Sequence, residues 1–320
     1  MDSCNFGVRK MTDEKLRLTK SDIEVPGAVF PENRELYVEN FLKITHNTGR
    51  LMLFAGDQKI EHLNKDFYGE GISSDDNEPE HLFKIASQSR IGCFATQLGL
   101  ISKFAASYPD LPYLVKLNSK TNLVKTAQKD PLSPTLVTVA DVADFRESSG
   151  LNILGIGYTI YLGSEYEDIM LAEAAQAVFE AHQEGLVSVL WIYPRGRAVS
   201  DEKDVHLIAG AAGVAACLGA DFTKVNPPKK DGVSDPALLS EATMAAGKTR
   251  LVCAGGSADD PQVFFERLYN QIHIGGADGN ATGRNIHQKP LAEAVRMCNA
   301  ISAITLDDKS VDEAMKIYNG

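Results

Sequence analysis

Eight short apolar runs, spaced by helix-like stretches, constrain this chain more than any other feature. They are Leu51–Gly56, Gly92–Gln97, Tyr113–Asn118, Ile153–Thr159, Val187–Tyr193, Phe222–Asn226, Leu251–Gly255 and Ile272–Ala277. Most are continuous rather than alternating, the pattern of strands buried on both faces. Between them lie segments with apolar residues at helical spacing, among them Glu167–Glu184, Asp204–Leu218 and Asp235–Ala246. Another, Pro261–Gln271, follows Asp259-Asp260 with Pro in its first turn, a helix-start signature. Strand, helix, strand repeated in this way implies parallel pairing with right-handed crossovers. Eight units close into a (β/α)8 TIM barrel. The alternative is an open doubly wound sheet, but no GxGxxG follows the first run to support a dinucleotide site.

Barrels of this length commonly form one domain, so a single domain is expected over residues 1–320. Residues 1–50 are charged and irregular, with a helix expected at Glu35–Thr45. They read as an extension that caps the barrel floor or makes oligomer contacts. Gly69–Glu80 and Lys120–Pro134 read as long loops, either lids or disordered connections.

The net charge of −11 argues against general nucleic-acid binding, which wants a basic face. It leaves room for an anionic substrate in a locally positive pocket. The five cysteines, Cys4, Cys93, Cys217, Cys253 and Cys298, are scattered, with no CxxC. They read as buried reduced thiols in a reducing compartment. The N-terminus shows no apolar signal-peptide core, and no stretch approaches the ~18 apolar residues of a membrane span. A cytoplasmic location without membrane partners is expected.

In such barrels reactive groups stand at the C-terminal ends of the strands. Lys224 lies within the apolar run Phe222–Asn226, where burial would push its pKa down and make it a nucleophile toward carbonyls. Alternation puts Phe222 and Lys224 on one face and Thr223 and Val225 on the other. The alternatives for Lys224 are snorkelling to solvent or pairing with a carboxylate such as Asp221. Lys116 or Arg195 nearby would help keep the amine neutral. Tyr193, on the same face of its strand as Trp191, can pass protons or serve as core. Trp191, taken alone, reads as packing. Asp57, after the first strand, can accept a proton or hold a substrate hydroxyl, or simply cap a turn. Gly255-Gly256-Ser257 and Gly283-Arg284-Asn285 follow the last two strands, where barrels often build phosphate sites. Turn glycines are the other reading. The histidines form no HxH or HExxH, so neither a metal nor another cofactor is expected, and His62 and His287 read as loop or surface residues. A buried amine beside phosphate turns points to Schiff-base chemistry on a phosphorylated ketone or aldehyde.

Assembled, these segments resemble the class I fructose-bisphosphate aldolases of the archaeal/bacterial, DhnA-like branch. The resemblance rests on Asp57-Gln58-Lys59-Ile60-Glu61-His62, Leu114–Asn118, Tyr158–Ser164, Trp191–Gly196, Asp221–Val225, Gly255-Gly256 and Gly283–Ile286, across roughly residues 45–300. It implies Lys224 as the Schiff-base lysine, Tyr193 as proton donor and acceptor with Trp191 beside it, and Asp57 on the substrate hydroxyl. Gly255, Gly256, Gly283 and Arg284 would bind phosphate, with Lys116 and Arg195 lining the substrate site. It also implies a sugar-phosphate substrate and a homo-oligomer. Gln58-Lys59 and Asn226-Pro227-Pro228 depart from the branch pattern. Two other activities remain open. One is the branch's Schiff-base transaldolase-type synthase, 2-amino-3,7-dideoxy-D-threo-hept-6-ulosonate synthase. The other is a non-catalytic sugar-phosphate-binding barrel.

Overall fold

A computed structural model describes residues 17–62, 64–123 and 130–320. Cys4 and residues 124–129 of the second long loop lie outside the described residues. In chain order the strands are β1 (Leu51–Ala55), β2 (Cys93–Gln97), β3 (Tyr113–Lys116), β4 (Ile153–Leu162), β5 (Val187–Pro194), β6 (Phe222–Val225), β7 (Arg250–Ala254) and β8 (Gly279–Thr282). Each pairs in parallel with the next, and β8 pairs with β1, closing the ring. This is the (β/α)8 barrel expected from the alternating runs.

The α-helices are α1 (Arg34–Ile44), α2 (Gln58–Glu61), α3 (Glu80–Gln88), α4 (Leu98–Phe104), α5 (Val139–Ser149), α6 (Glu167–Gln183), α7 (Val205–Cys217), α8 (Ser240–Ala246), α9 (Pro261–His273), α10 (Arg284–His287), α11 (Leu291–Asp307) and α12 (Val311–Asn319). Local chemistry sets several of their ends. Thr138 and Asp141 form a reciprocal capping box at the start of α5, and Gly150, with φ 66°, ends it in the left-handed region. Asp260 accepts from the backbone of Gln262 and Val263 at the start of α9. The segment Asp235–Ala246 divides into a 3-10 turn, Pro236–Leu239, and α8.

Strand parity sorts the core into two parts. Leu53, Ala55, Ala95, Leu114, Val189, Trp191, Phe222 and Val252 pack together inside the barrel. Phe54, Phe94, Val115, Ile156, Leu190, Val225 and Leu251 face the helices. Val29, Tyr37, Val38, Phe41 and Ile44, from α1 and its approach, join the inner cluster. Phe41 stacks on Phe222 with ring centroids 5.6 Å apart. α1 thus packs against the inner cluster beside Phe222, the first residue of β6.

One strand is misplaced by the sequence reading. Ile272–Ala277 is not β8. Ile272 continues the buried stripe of α9 after Phe264, Phe265 and Leu268, and the chain then turns through Gly275-Gly276. The true β8, Gly-Asn-Ala-Thr, has almost no apolar signal. Its polar side chains are satisfied internally: Asn280 Nδ2 donates to Thr305 Oγ1 at 2.7 Å, and Thr282 Oγ1 donates to Asn280 Oδ1 at 2.8 Å. Cys93, Cys253 and Cys298 are buried thiols as expected, whereas Cys217 is exposed.

Candidate active site

Trp191 organises the C-terminal mouth. In register it lies beside Thr159 of β4 and Lys224 of β6. Its indole crosses β4 at Gly157, where any Cβ would collide with the ring. Two lysine amines approach that ring equally: Lys116 Nζ and Lys224 Nζ each lie 5.2 Å from its centroid.

The two amines differ in their partners. Lys116 Nζ donates to Asn118 O at 3.1 Å, Asn118 Oδ1 at 3.1 Å and Thr159 Oγ1 at 2.6 Å. Three acceptors match the three N–H bonds of an ammonium. Lys224 Nζ, only 4% exposed as a residue, has no acceptor among the described residues. Burial holds the Lys224 pKa below the ordinary lysine value, and Arg284 pushes the same way against Asp57 and Glu61. Lys116 is lowered by burial too, with Lys224 adding to the effect. Asp221 does not pair with Lys224; it binds Tyr37, His182 and Ser188 at the other end of the barrel.

Asp57 is buried directly after β1, and its Oδ1 lacks a hydrogen-bond partner among the described residues. Among the described residues the indole Nε1 of Trp191 also has no partner. Both groups are open to a hydrogen-bond partner from outside the chain. The Tyr193 phenol is held well above its ordinary pKa by burial and by Asp57 and Glu61, so it stays protonated. Arg195 lies 5.5 and 5.8 Å from the Tyr161 and Tyr193 ring centroids. Its guanidinium is braced by Glu202, at 3.0 to 3.1 Å.

The two glycine turns adjoin. Asn285 Nδ2 donates to Gly255 O at 3.1 Å and Ser257 O at 2.8 Å, and its Oδ1 accepts from Asp259 N at 3.0 Å. Arg267 also donates to Gly255 O. The glycines are needed for protein contacts as well: a Cβ on Gly255 would crowd Thr282, and one on Gly283 would overlap the Gln58 carboxamide. Gly256 has φ 76°. Arg284 reaches toward Asp66, Nη1 to Oδ2 3.6 Å. The departure noted at residues 58–59 thus has a local account. Gln58 fills the space beside Gly283, while Lys59 lies over Phe67 and donates to Asp76 O.

The structure therefore brings Lys224, Lys116, Trp191, Tyr193 and Asp57 together, with Arg195 on one side and Arg284 and the glycine turns on the other. It corrects one expectation: His287 is not a surface residue. Its ring is fully buried, stacked on Phe67, with Nδ1 2.7 Å from Asp76 Oδ2. His62 is partly exposed and meets Asp66 at 2.6 Å. Sequence reasoning gave no role to Asn118, Thr159, Asn285, Glu61 or Tyr161. Glu61 accepts from the Tyr161 hydroxyl at the mouth. Lys116 and Asn118 two residues apart, hence on one strand face, was the available signal. Among the described residues, no three His, Cys, Asp or Glu side chains converge as a metal site requires, and no helix is long and apolar enough to cross a membrane.

Residues 51–289 match the family described as DeoC/LacD family aldolase. The chain belongs to this family. It is a carbon–carbon lyase by kind, and its relatives agree. A Methanocaldococcus jannaschii protein named fructose-bisphosphate aldolase/6-deoxy-5-ketofructose 1-phosphate synthase is 60% identical over 95% of this chain and 97% of its own. A solved fructose-bisphosphate aldolase from Slackia heliotrinireducens superposes with TM-score 0.92 and 59% identity, covering 95% of this chain and 96% of that one. An archaeal fructose-1,6-bisphosphate aldolase, solved with its catalytic Lys covalently bound to the carbinolamine intermediate, gives TM-score 0.70 and 30% identity. It covers 84% of this aldolase and 99% of its own chain.

Proposed function

We propose that this aldolase cleaves fructose 1,6-bisphosphate reversibly to dihydroxyacetone phosphate and glyceraldehyde 3-phosphate, through a Schiff base on Lys224. One observation carries the reading: a buried lysine amine, lowered in pKa and without an acceptor among the described residues, 5.2 Å from the Trp191 ring centroid and within electrostatic reach of Arg284. The unprotonated amine attacks the C2 ketone, and the carbinolamine loses water to give an iminium. The iminium draws electrons from the C3–C4 bond. A base takes the C4 hydroxyl proton; Asp57, with an unpaired Oδ1, is suited to hold that hydroxyl. Bond cleavage releases glyceraldehyde 3-phosphate and leaves an enamine. The Tyr193 phenol, kept protonated by its surroundings, supplies the proton at C3. Water then hydrolyses the iminium and frees dihydroxyacetone phosphate. Gly255, Gly256, Gly283 and Arg284 are suited to one phosphate, and Lys116 and Arg195 line the rest of the cleft. By the same resemblance we extend the reading to a homo-oligomer in the cytoplasm, checked by light scattering and cell fractionation.

The 60% identical relative supports a second activity at the same amine. A 6-deoxy-5-ketofructose 1-phosphate carries its phosphate on C1, so its C4–C6 half corresponds to an unphosphorylated keto-aldehyde. The enamine would add to that aldehyde instead of glyceraldehyde 3-phosphate.

Borohydride reduction with dihydroxyacetone phosphate tests the shared step. The expected result is a mass increase on the peptide containing Lys224, unaffected by EDTA; an unmodified Lys224 rejects both readings. Assays of fructose 1,6-bisphosphate cleavage and keto-aldehyde condensation, run side by side, separate the two.

A further inference from the structure

Arg284 opens α10, and the backbone around it is pinned from two sides. On one side its neighbour Asn285 ties α10 to the turn after β7, donating from Nδ2 to Gly255 O at 3.1 Å and Ser257 O at 2.8 Å. On the other, the connection between α2 and α3 folds onto the helix. Gln288 Nε2 donates to Asp66 O at 2.8 Å, and Ser73 N donates to Gln288 O at 2.9 Å. His287 Nδ1 lies 2.7 Å from Asp76 Oδ2, and Leu291 N donates to Asp75 Oδ2 at 3.1 Å. Phe67, buried next to Asp66 in the chain, stacks on the His287 ring with centroids 4.7 Å apart. The backbones that carry Arg284 and Asp66 are therefore fixed relative to one another.

Arg284 and Gln288 stand four residues apart, on one side of their helix. Both meet residue 66, Gln288 at the carbonyl and Arg284 at the carboxylate. The carboxylate is braced from its own segment, with His62 Nδ1 2.6 Å from the same Oδ2. The Arg284 contact differs in kind. Nη1 stands 3.6 Å from Oδ2, longer than a good hydrogen bond, and no second prong is formed. Among the described residues the guanidinium meets no closer carboxylate. It has five N–H donors. An ion pair of this form sets where the group rests and leaves its donors for another anion.

We propose that Asp66 is a positioning residue: its carboxylate, braced by His62, aims the Arg284 guanidinium so that it meets the substrate phosphate already ordered. This deepens the reading in which Arg284 and the glycine turns take one phosphate, and rests on it. A long side chain ordered beforehand loses no further freedom when the ligand arrives. A surface ion pair without this role contributes little, so the two cases differ in what removing the carboxylate does to phosphate affinity.

The test compares borohydride trapping on Lys224 by dihydroxyacetone phosphate and by dihydroxyacetone, which lacks the phosphate. The proteins are the parent, Asp66→Asn, Arg284→Ala and the double variant. Asp66→Asn keeps the shape and removes the charge; Asp66→Ser repeats the measurement without an amide. The dihydroxyacetone phosphate concentration giving half-maximal trapping should rise roughly three- to tenfold in Asp66→Asn, the scale of ordering one flexible side chain on binding. The value for dihydroxyacetone should not move, which also shows the amine site intact. Arg284→Ala should raise the dihydroxyacetone phosphate value at least as far, and adding Asp66→Asn to it should change nothing more. An unchanged value in both Asp66 variants overturns the proposal. So does a fall, which would make Asp66 a competitor of the phosphate for Arg284. Equal rises for the two ketones would indicate packing and also overturn it, as would full additivity in the double variant. If Arg284→Ala leaves the value unchanged, the phosphate role of Arg284 and the proposal fall together. Each of these outcomes leaves the Schiff base on Lys224 standing. If the parent traps neither ketone, the Schiff-base reading fails instead, and the same ratios are read, with the same limits, from calorimetric titration with dihydroxyacetone phosphate.

Discussion

Strand β6 and its approach carry two buried charged residues three positions apart, Asp221 and Lys224, at opposite ends of the same barrel. At the floor, Asp221 receives the Tyr37 hydroxyl at 2.5 Å, Ser188 N at 2.7 Å, Ser188 Oγ at 3.0 Å and His182 Nε2 at 3.1 Å. At the mouth, Lys224 has no hydrogen-bond partner among the described residues, and Asp57 Oδ1 and Trp191 Nε1 nearby are unpaired. Both residues are buried. A charge whose partners all come from the protein ties the fold together; one left without them is available for a ligand. Burial of a charged residue, by itself, does not distinguish the two.

Substitutions at each end sharpen this contrast. The largest effect is expected for Lys224→Met, which removes the proposed nucleophile. Turnover should fall on the order of 10^4-fold or more with the melting temperature kept or raised; retained steady-state cleavage would contradict the assignment. Tyr193→Phe should lower kcat by roughly 10^2- to 10^4-fold, the span typical of a lost proton-transfer group. Borohydride trapping on Lys224 should persist, separating proton transfer from amine attack.

The floor should behave the opposite way. Asp221→Ala leaves Tyr37, His182 and Ser188 without their shared acceptor. A loss of about 3 kcal/mol in urea unfolding is expected. Turnover per folded molecule, titrated by the borohydride trap, should barely change. If it falls as steeply as in Tyr193→Phe, the two ends are not separable.

The smallest expected effect concerns His287. Burial holds its pKa below the ordinary 6.5, despite Asp76 beside it. The unfolded chain therefore binds a proton there before the folded one does. That part of stability is present above pH 6.5 and is lost as pH falls below it. Urea midpoints measured from pH 7 to pH 5 should decline, and His287→Gln should flatten the decline even if it lowers the starting value.

Much of this architecture was legible because barrel strands buried on both faces write themselves as apolar runs. β1 to β7 fit that rule. β8 does not, since Asn280 and Thr282 satisfy each other and Thr305 rather than presenting apolar surface. Lys224 was legible for the converse reason, a charge interrupting an apolar run. Asn118, Thr159 and Asn285 were not, because a polar residue at a strand end looks the same whether it braces a neighbour or faces solvent. His287 was misjudged because its partner, Asp76, lies far away in sequence and only the closed ring joins them.

Ring closure by β8 against β1 also sets when the enzyme can work. Gln58 reaches Gly283 only after the last strand has docked beside the first. A nascent chain that has emerged through residue 260 already contains Lys224, yet lacks Gly283 and Arg284. Catalytic output is thus a readout of completed assembly, and a barrel stalled one strand short should be silent rather than promiscuous.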